Sequence, residues 1–364
     1  MNVPVRKQTA PENISIVQGG QVRIAVIGAS GYTGAELVRL LARHPNAALN
    51  VLTADRKAGR TMAEVFPHLG GLGLPDLVAL ENVDWSAVDV AFCCLPHGTT
   101  QAVIAGLPAR LKVIDLSADF RLADLATYAT WYGHEHQAPA LQKEAVYGLT
   151  ELAREAVKNA RLIANPGCYP TSAQLPLVPL LAGGLISADD IIIDAKSGVS
   201  GAGRAAKEAN LFTEVSEGIH AYGVANHRHA PEIEQGLSAA VGRPVVVNFT
   251  PHLMPMSRGI LSSIYVRTKG TAKASDLRAA LGERYAGEPF VRILPEGAVP
   301  ATRHVRGSNH CLIAVFDDRV QGRAIVLSVI DNLVKGAAGQ AVQNMNVACG
   351  LKETLGLEQV ALFP

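Results

Sequence analysis

Hydrophobic positions fall into short runs of two kinds, and the change from one kind to the other divides the chain. Val22-Arg23-Ile24-Ala25-Val26-Ile27, Leu49 to Ala54, Val88 to Leu95 and Lys112 to Leu116 are continuous apolar runs, the pattern of strands buried on both faces of a parallel sheet. Ala35 to His44 and a stretch beginning near Thr99 carry helical spacing between them. Arg161-Leu162-Ile163-Ala164 predicts one more strand, a tight turn at Pro166-Gly167, and then a helix through the apolar run from Ala173 to Leu181. Beyond Cys168 the strands change character. Ile191 to Asp194, Val245 to Phe249, Ile260 to Val266, Leu312 to Phe316 and Ala324 to Ile330 include alternating runs, separated by helices at Pro231 to Val241 and Ala274 to Tyr285. They predict a second domain with a mixed or antiparallel sheet. Asp331 to Val347 sets Leu333, Val334, Ala337, Ala341, Val342 and Met345 on helical spacing and predicts a closing helix. Residues 1–20, polar and broken by Pro4, Pro11 and Gly19-Gly20, read as a loosely held arm.

With 364 residues, 48% of them hydrophobic, two cores can be filled. Lys+Arg 33 against Asp+Glu 32 leaves a net charge of +1 with no like-charge block, so nothing in the charge balance attracts nucleic acid or an anionic membrane, and the expected partner is a small molecule. No apolar stretch reaches the roughly 18 residues of a membrane span, and Met1 to Gly20 holds no apolar core of signal-peptide type; the expectation is a cytoplasmic protein. Cys93, Cys94, Cys168, Cys311 and Cys349 form no C-x-x-C pair, which predicts neither zinc nor a disulfide framework but a reduced compartment and one working thiol.

That thiol is Cys168. In Asn165-Pro166-Gly167-Cys168-Tyr169-Pro170-Thr171 it falls at a predicted helix N-terminus, where unpaired N–H groups and the macrodipole favour a thiolate. Gly28-Ala29-Ser30-Gly31-Tyr32-Thr33-Gly34, between the first strand and the first helix, has the makings of a pyrophosphate-binding turn, although its glycine spacing departs from the usual fingerprint. Asp55-Arg56-Lys57 follows the second strand: an acid there suits the ribose of NAD and cations suit the 2′-phosphate of NADP, and the two adjacent cations favour NADP. Pro96-His97-Gly98-Thr99-Thr100 lies at a strand's carboxyl end, where ligands bind in open α/β sheets, and Cys93 and Cys94 belong to the strand's core. Arg121, after Ser117-Ala118-Asp119-Phe120, either clamps a substrate anion or makes a structural ion pair. Lys196-Ser197-Gly198-Val199-Ser200-Gly201-Ala202-Gly203-Arg204 reads as an anion-binding loop. His220 and His227-Arg228-His229 supply imidazole for thiolate stabilisation and proton transfer; their spacing does not suit a metal.

These motifs, in this order and together with Asn332-Leu333-Val334-Lys335-Gly336-Ala337, resemble the N-acetyl-gamma-glutamyl-phosphate reductases of arginine biosynthesis from about residue 21 to the C-terminus. Thr53-Ala54-Asp55-Arg56-Lys57-Ala58-Gly59 resembles their plant-type branch. The resemblance implies NADP(H), a catalytic Cys168, an acid/base His227, and the Rossmann-plus-α+β fold of aspartate-semialdehyde and glyceraldehyde-3-phosphate dehydrogenases. A nucleotide domain over 21–167 would then be completed by 331–364, leaving 168–330 for catalysis and dimerisation in a homodimer or homotetramer. The cofactor set is Gly28, Ser30, Gly31, Tyr32, Thr33, Gly34, Arg56, Lys57, Pro96, Ser197, Gly198 and Asn332, the last beside the nicotinamide. Arg121, Ser200, Arg204 and His220 remain for an acyl-phosphate substrate. A Cys168 thiolate attacking an acyl phosphate leaves a thioester, which accepts hydride far more readily than a carboxylate does. Another acyl-phosphate reductase, acting on aspartyl or carrier-linked aminoadipyl phosphate, would carry the same chemistry.

Overall fold

The computed structural model describes residues 20–363, so the arm expected over 1–20 lies, but for Gly20, outside the described residues. Seven strands form the first sheet: β1 (Val22–Ile27), β2 (Ala47–Thr53), β3 (Leu77–Val78), β4 (Val90–Cys93), β5 (Lys112–Asp115), β6 (Val146–Tyr147) and β7 (Leu162–Ala164). Their order is β3-β2-β1-β4-β5-β7-β6, and every ladder is parallel. This is the doubly wound arrangement that the continuous apolar runs predicted, with β4 and β7 buried along their whole length.

The second sheet is mixed. β8 (Ile191–Gly198), β9 (His220–Ala221), β10 (Val247–Met254), β11 (Ile260–Arg267), β12 (Val291–Ile293), β13 (Cys311–Asp317) and β14 (Arg323–Ile330) lie in the order β12-β13-β14-β11-β8-β10-β9. Alternate residues of β8 and β11 are buried, and Ile191, Ile193, Ala195, Ile260 and Ile264 share a core with Ala173, Leu175, Leu177 and Leu180 of the Cys168–Ala182 helix. That helix runs through Pro176 and Pro179. Pro179 has no N–H to offer the Leu175 carbonyl, and the Tyr285 hydroxyl donates to it instead.

β8 is longer than its sequence suggests. Ser197 and Gly198, expected in a loop, pair with Leu253 and Met254 of β10, and only Val199–Ala202 turns away, as a short 3-10 helix. The ladder partners overrule the loop-like composition of this segment. The closing helix also differs. Val334–Ala338 is a π-helical turn, with Gly336 N donating to Asp331 O at 3.0 Å and Ala338 N to Leu333 O at 2.9 Å, before Gly339–Ala348 continues as α-helix. Val334, Ala338, Ala341, Val342 and Met345 are buried among Val26, Leu37, Phe92 and Ile114, so the end of the chain completes the core of the first sheet. Fully buried Lys335 anchors the turn there, its Nζ donating to Glu151 Oε1 at 2.6 Å and to Gln343 Oε1 at 2.7 Å.

Candidate active site

A cleft of about 1200 Å³ runs from the Gly28–Thr33 turn to Cys168 and on to His227 and His229. Cys168 is the first residue of its helix, and Gly167 in the N-cap position gives the helix no side-chain cap. Two glycines allow this crowding. A Cβ at Gly167 would lie 2.6 Å from His229 Nε2 and 2.9 Å from an Arg121 guanidinium nitrogen, and one at Gly336 would lie 2.7 Å from the Cys168 Cβ. The turn before Cys168 is therefore crowded by an imidazole and a guanidinium, and the Cys168 Cβ by the π-helical turn.

Electrostatics here differ from the helix-terminus expectation. Burial pushes the Cys168 thiol up to about 11, against the pull of Arg121 and the Tyr169 amide. Burial, and then the Arg228 charge, hold the His227 imidazole down to about 4, while burial, His227 and Arg121 keep His229 well below its ordinary value. The free protein thus carries a thiol and neutral imidazoles, not a thiolate–imidazolium pair, because desolvation outweighs the half-charge of the helix terminus. His227 Nδ1 accepts the His229 amide at 3.1 Å, which assigns its ring proton to Nε2. His229 Nδ1 is buried without a partner.

Arg121 is held by structural contacts. It is buried, with Nε donating to Asn165 O at 2.8 Å, one terminal nitrogen to Leu116 O at 2.9 Å and the other to Glu232 at 3.4 Å. Glu232, equally buried, accepts the Gly167 amide and the Tyr147 hydroxyl, both at 2.8 Å. One carboxylate thereby ties the turn before Cys168 to the guanidinium beside it. Arg121 still lines the cleft.

At the other end, Gly28, Ser30, Gly31, Tyr32, Thr33, Pro96, Ser197 and Asn332 line the cleft, and Gly34, Gly198, Arg56 and Lys57 do not. Gly34 is needed for packing: a Cβ there would lie 2.6 Å from Gly28 O. Gly198 is held in the ladder, its amide donating to Gly259 O at 2.9 Å. Arg56 and Lys57 sit on the 55–59 turn outside the wall, which Asp55 contributes. Gly31 precedes the Tyr32–Leu41 helix with no side-chain cap, and a Cβ there would meet only Gly28 O, at 3.8 Å. Ser200 and Asn332 are spent on each other, Asn332 Nδ2 donating to Ser200 Oγ at 2.9 Å while its Oδ1 accepts the Gly259 amide. Arg204 reaches across to Ser30 O at 3.0 Å and stacks over Phe66, so it belongs to the nucleotide end. His220 lines the cleft from β9.

Residues 23–160 match the family described as "Semialdehyde dehydrogenase, NAD binding domain", and residues 168–332 match "Semialdehyde dehydrogenase, dimerisation domain". An N-acetyl-gamma-glutamyl-phosphate reductase of Rhodospirillum rubrum is 67% identical over 94% of this chain and 99% of its own length. The chain belongs to the N-acetyl-gamma-glutamyl-phosphate reductase family. A probable chloroplastic N-acetyl-gamma-glutamyl-phosphate reductase of Oryza sativa subsp. japonica is 61% identical over 99% of this chain and 86% of its own, in accord with the plant-type motif. Among solved structures, aspartate semialdehyde dehydrogenase II of Vibrio cholerae superposes with a TM-score of 0.70 at 20% identity, over 90% of this chain and 98% of that one. The NADP-bound aspartate semialdehyde dehydrogenase of Candida albicans gives 0.68 at 16% identity, over 91% and 99%. At those identities the likeness is one of fold.

In this reductase family member three further residues line the cleft. His97 was noted at the end of β4 without a role; its Nδ1 accepts the Ala118 amide at 2.9 Å, leaving Nε2–H for the cleft. Tyr132, last residue of the Leu125–Tyr132 helix, and Arg228, between the two histidines, complete that wall. The one signal for them was position, since strand ends and the residues beside catalytic side chains are where ligands are met.

Proposed function

We propose that the chain catalyses NADPH-dependent reduction of N-acetyl-L-glutamyl 5-phosphate to N-acetyl-L-glutamate 5-semialdehyde and phosphate, a step of arginine biosynthesis. The observation that carries this is one cleft lined by an uncapped glycine turn, by Cys168 at a helix N-terminus and by the imidazoles of His227 and His229. The Gly28–Thr33 turn would hold the pyrophosphate, with Arg204 and Pro96 beside it and Arg56 and Lys57 reading the 2′-phosphate from the rim. The reduced nicotinamide, when bound, supplies the hydride.

The protein's own part begins with deprotonation. We assign the Cys168 proton to His229, whose Nε2 lies against the Gly167 turn that precedes the thiol. Cys168 sulfur bonds to the acyl carbon, the carbon–oxygen bond to phosphate breaks, and a thioester remains. After hydride reaches its carbonyl carbon, His227 Nε2–H stabilises the oxyanion; collapse breaks the carbon–sulfur bond and returns the proton to sulfur. We assign 21–167 with 331–364 to the nucleotide domain and 168–330 to catalysis and dimerisation, in a homodimer or homotetramer. Among the described residues no helix is long and apolar enough to cross a membrane. All five cysteines are free, which suits a reduced cytoplasmic compartment.

The test runs the reaction backwards. With N-acetylglutamate semialdehyde, NADP and phosphate, absorbance of NADPH should rise only when phosphate is present; no phosphate-dependent rise would overturn the assignment.

A further inference from the structure

Among the described residues, Arg228 has no paired carboxylate, whereas the neighbouring cation Arg121 is paired with Glu232. Its guanidinium carbon lies 5.3 Å over the ring of Tyr132 and opens to the cleft. Its platform is rigid. Tyr132 stacks at 4.6 Å and 12° on Tyr128, which is wholly buried, so the guanidinium lies over a two-ring stack anchored in the core. His97 closes the third side, its ring 6.4 Å from that of Tyr132 and its Nε2–H unspent by the protein.

Resting on the reaction proposed above, we infer that Arg228, supported by Tyr132 and His97, binds the α-carboxylate of the N-acetylated amino acid. The acyl phosphate cannot be this anion's source. Its phosphate is bonded to the carbon that Cys168 attacks and must lie at the Gly167 turn, where Arg121 stands. The α-carboxylate sits at the far end of the carbon chain, and Arg228 offers it a planar, charge-assisted donor pair.

The experiment compares two aldehydes in the reverse direction with NADP and phosphate: N-acetylglutamate semialdehyde and 4-acetamidobutanal, which is the same molecule without the carboxylate. The wild-type preference in kcat/KM for the first should fall ten- to hundred-fold in Arg228→Gln, mostly through KM, and by less in Arg228→Lys, which keeps the charge but not the plane. Arg228→Lys also serves if Arg228→Gln does not fold. An unchanged preference, with both aldehydes weakened equally, would overturn the inference. So would a rise in the KM for phosphate at constant preference, which would make Arg228 the phosphate site. Failure of the wild type on N-acetylglutamate semialdehyde is a separate result, and it would remove the reaction itself.

Discussion

Gly336 packs against Cys168 so closely that no side chain fits between them: an added Cβ would come within 2.7 Å of the Cys168 Cβ and 3.2 Å of its Cα. The π-helical turn that carries Gly336 is thus the back wall of the nucleophile. Gly336→Ala must displace one or the other. A shift approaching 1 Å should lower kcat by about 10²-fold. NADPH binding, titrated by fluorescence, should be nearly unchanged; wild-type turnover in this variant would show that the wall yields.

Because burial holds the Cys168 thiol near 11, alkylation by iodoacetamide should be slow at pH 7 and should accelerate about tenfold per pH unit toward pH 10. Since His227 is already neutral, His227→Asn should leave that profile in place while slowing hydride transfer by about 10²-fold or more. His229→Asn should instead slow the first, acylating step. Mass-spectrometric labelling of Cys168 against pH checks the former, and rapid-mixing kinetics the latter. A labelling plateau at neutral pH would contradict the thiol state described.

Arg56 and Lys57 bear on the 2′-phosphate alone if they read the cofactor from the rim. Replacing both by alanine should weaken NADPH by about 10–100-fold and NADH little, at about 1.5–3 kcal/mol per charge-assisted contact. Equal loss of both cofactors in a binding titration would make them residues that shape the turn.

Glu36 of the Tyr32–Leu41 helix is buried and bonded through both oxygens to Arg258, at 3.0 and 2.8 Å, and also to Arg39. Burial pulls its carboxyl up, but the two guanidinium groups prevail and bring it down to about 2, from 4.5. A depressed folded value means stabilisation that is complete above about pH 4.5 and lost as pH falls through about 2. Arg258→Ala, with Arg39 still in place, should cost about 2 kcal/mol at pH 7 and flatten this acid limb. Chemical denaturation at pH 7 and pH 3 measures both; equal losses at the two values would discount the pair.

What could be read in the sequence was local. The glycine turn, the Cys168 turn and the strands feeding them are contiguous, and hydrophobic period placed them within a few residues. Glu232 with Arg121 and Lys335 with Glu151 are pairs separated by more than a hundred residues, and no periodicity announces them. The π-helical turn was read as plain helix because its apolar spacing is helical; what distinguishes it is the Gly336 contact, which is tertiary. Ser197 and Gly198 were read as loop by composition, and their partners on β10 decided otherwise. At the site, residue type singled out the thiol and the imidazoles that line one cleft, but their charge states depend on burial, which only the assembled fold reveals.

The uncharged thiol has a consequence for survival under oxidative stress. Peroxides react with thiolates, so a Cys168 held protonated climbs slowly toward sulfenic and sulfinic acid while the cleft is empty. Deprotonation waits for His229 and an acyl phosphate in place, and by then the sulfur is committed to carbon. The same desolvation that makes this nucleophile sluggish in isolation keeps it intact between turnovers.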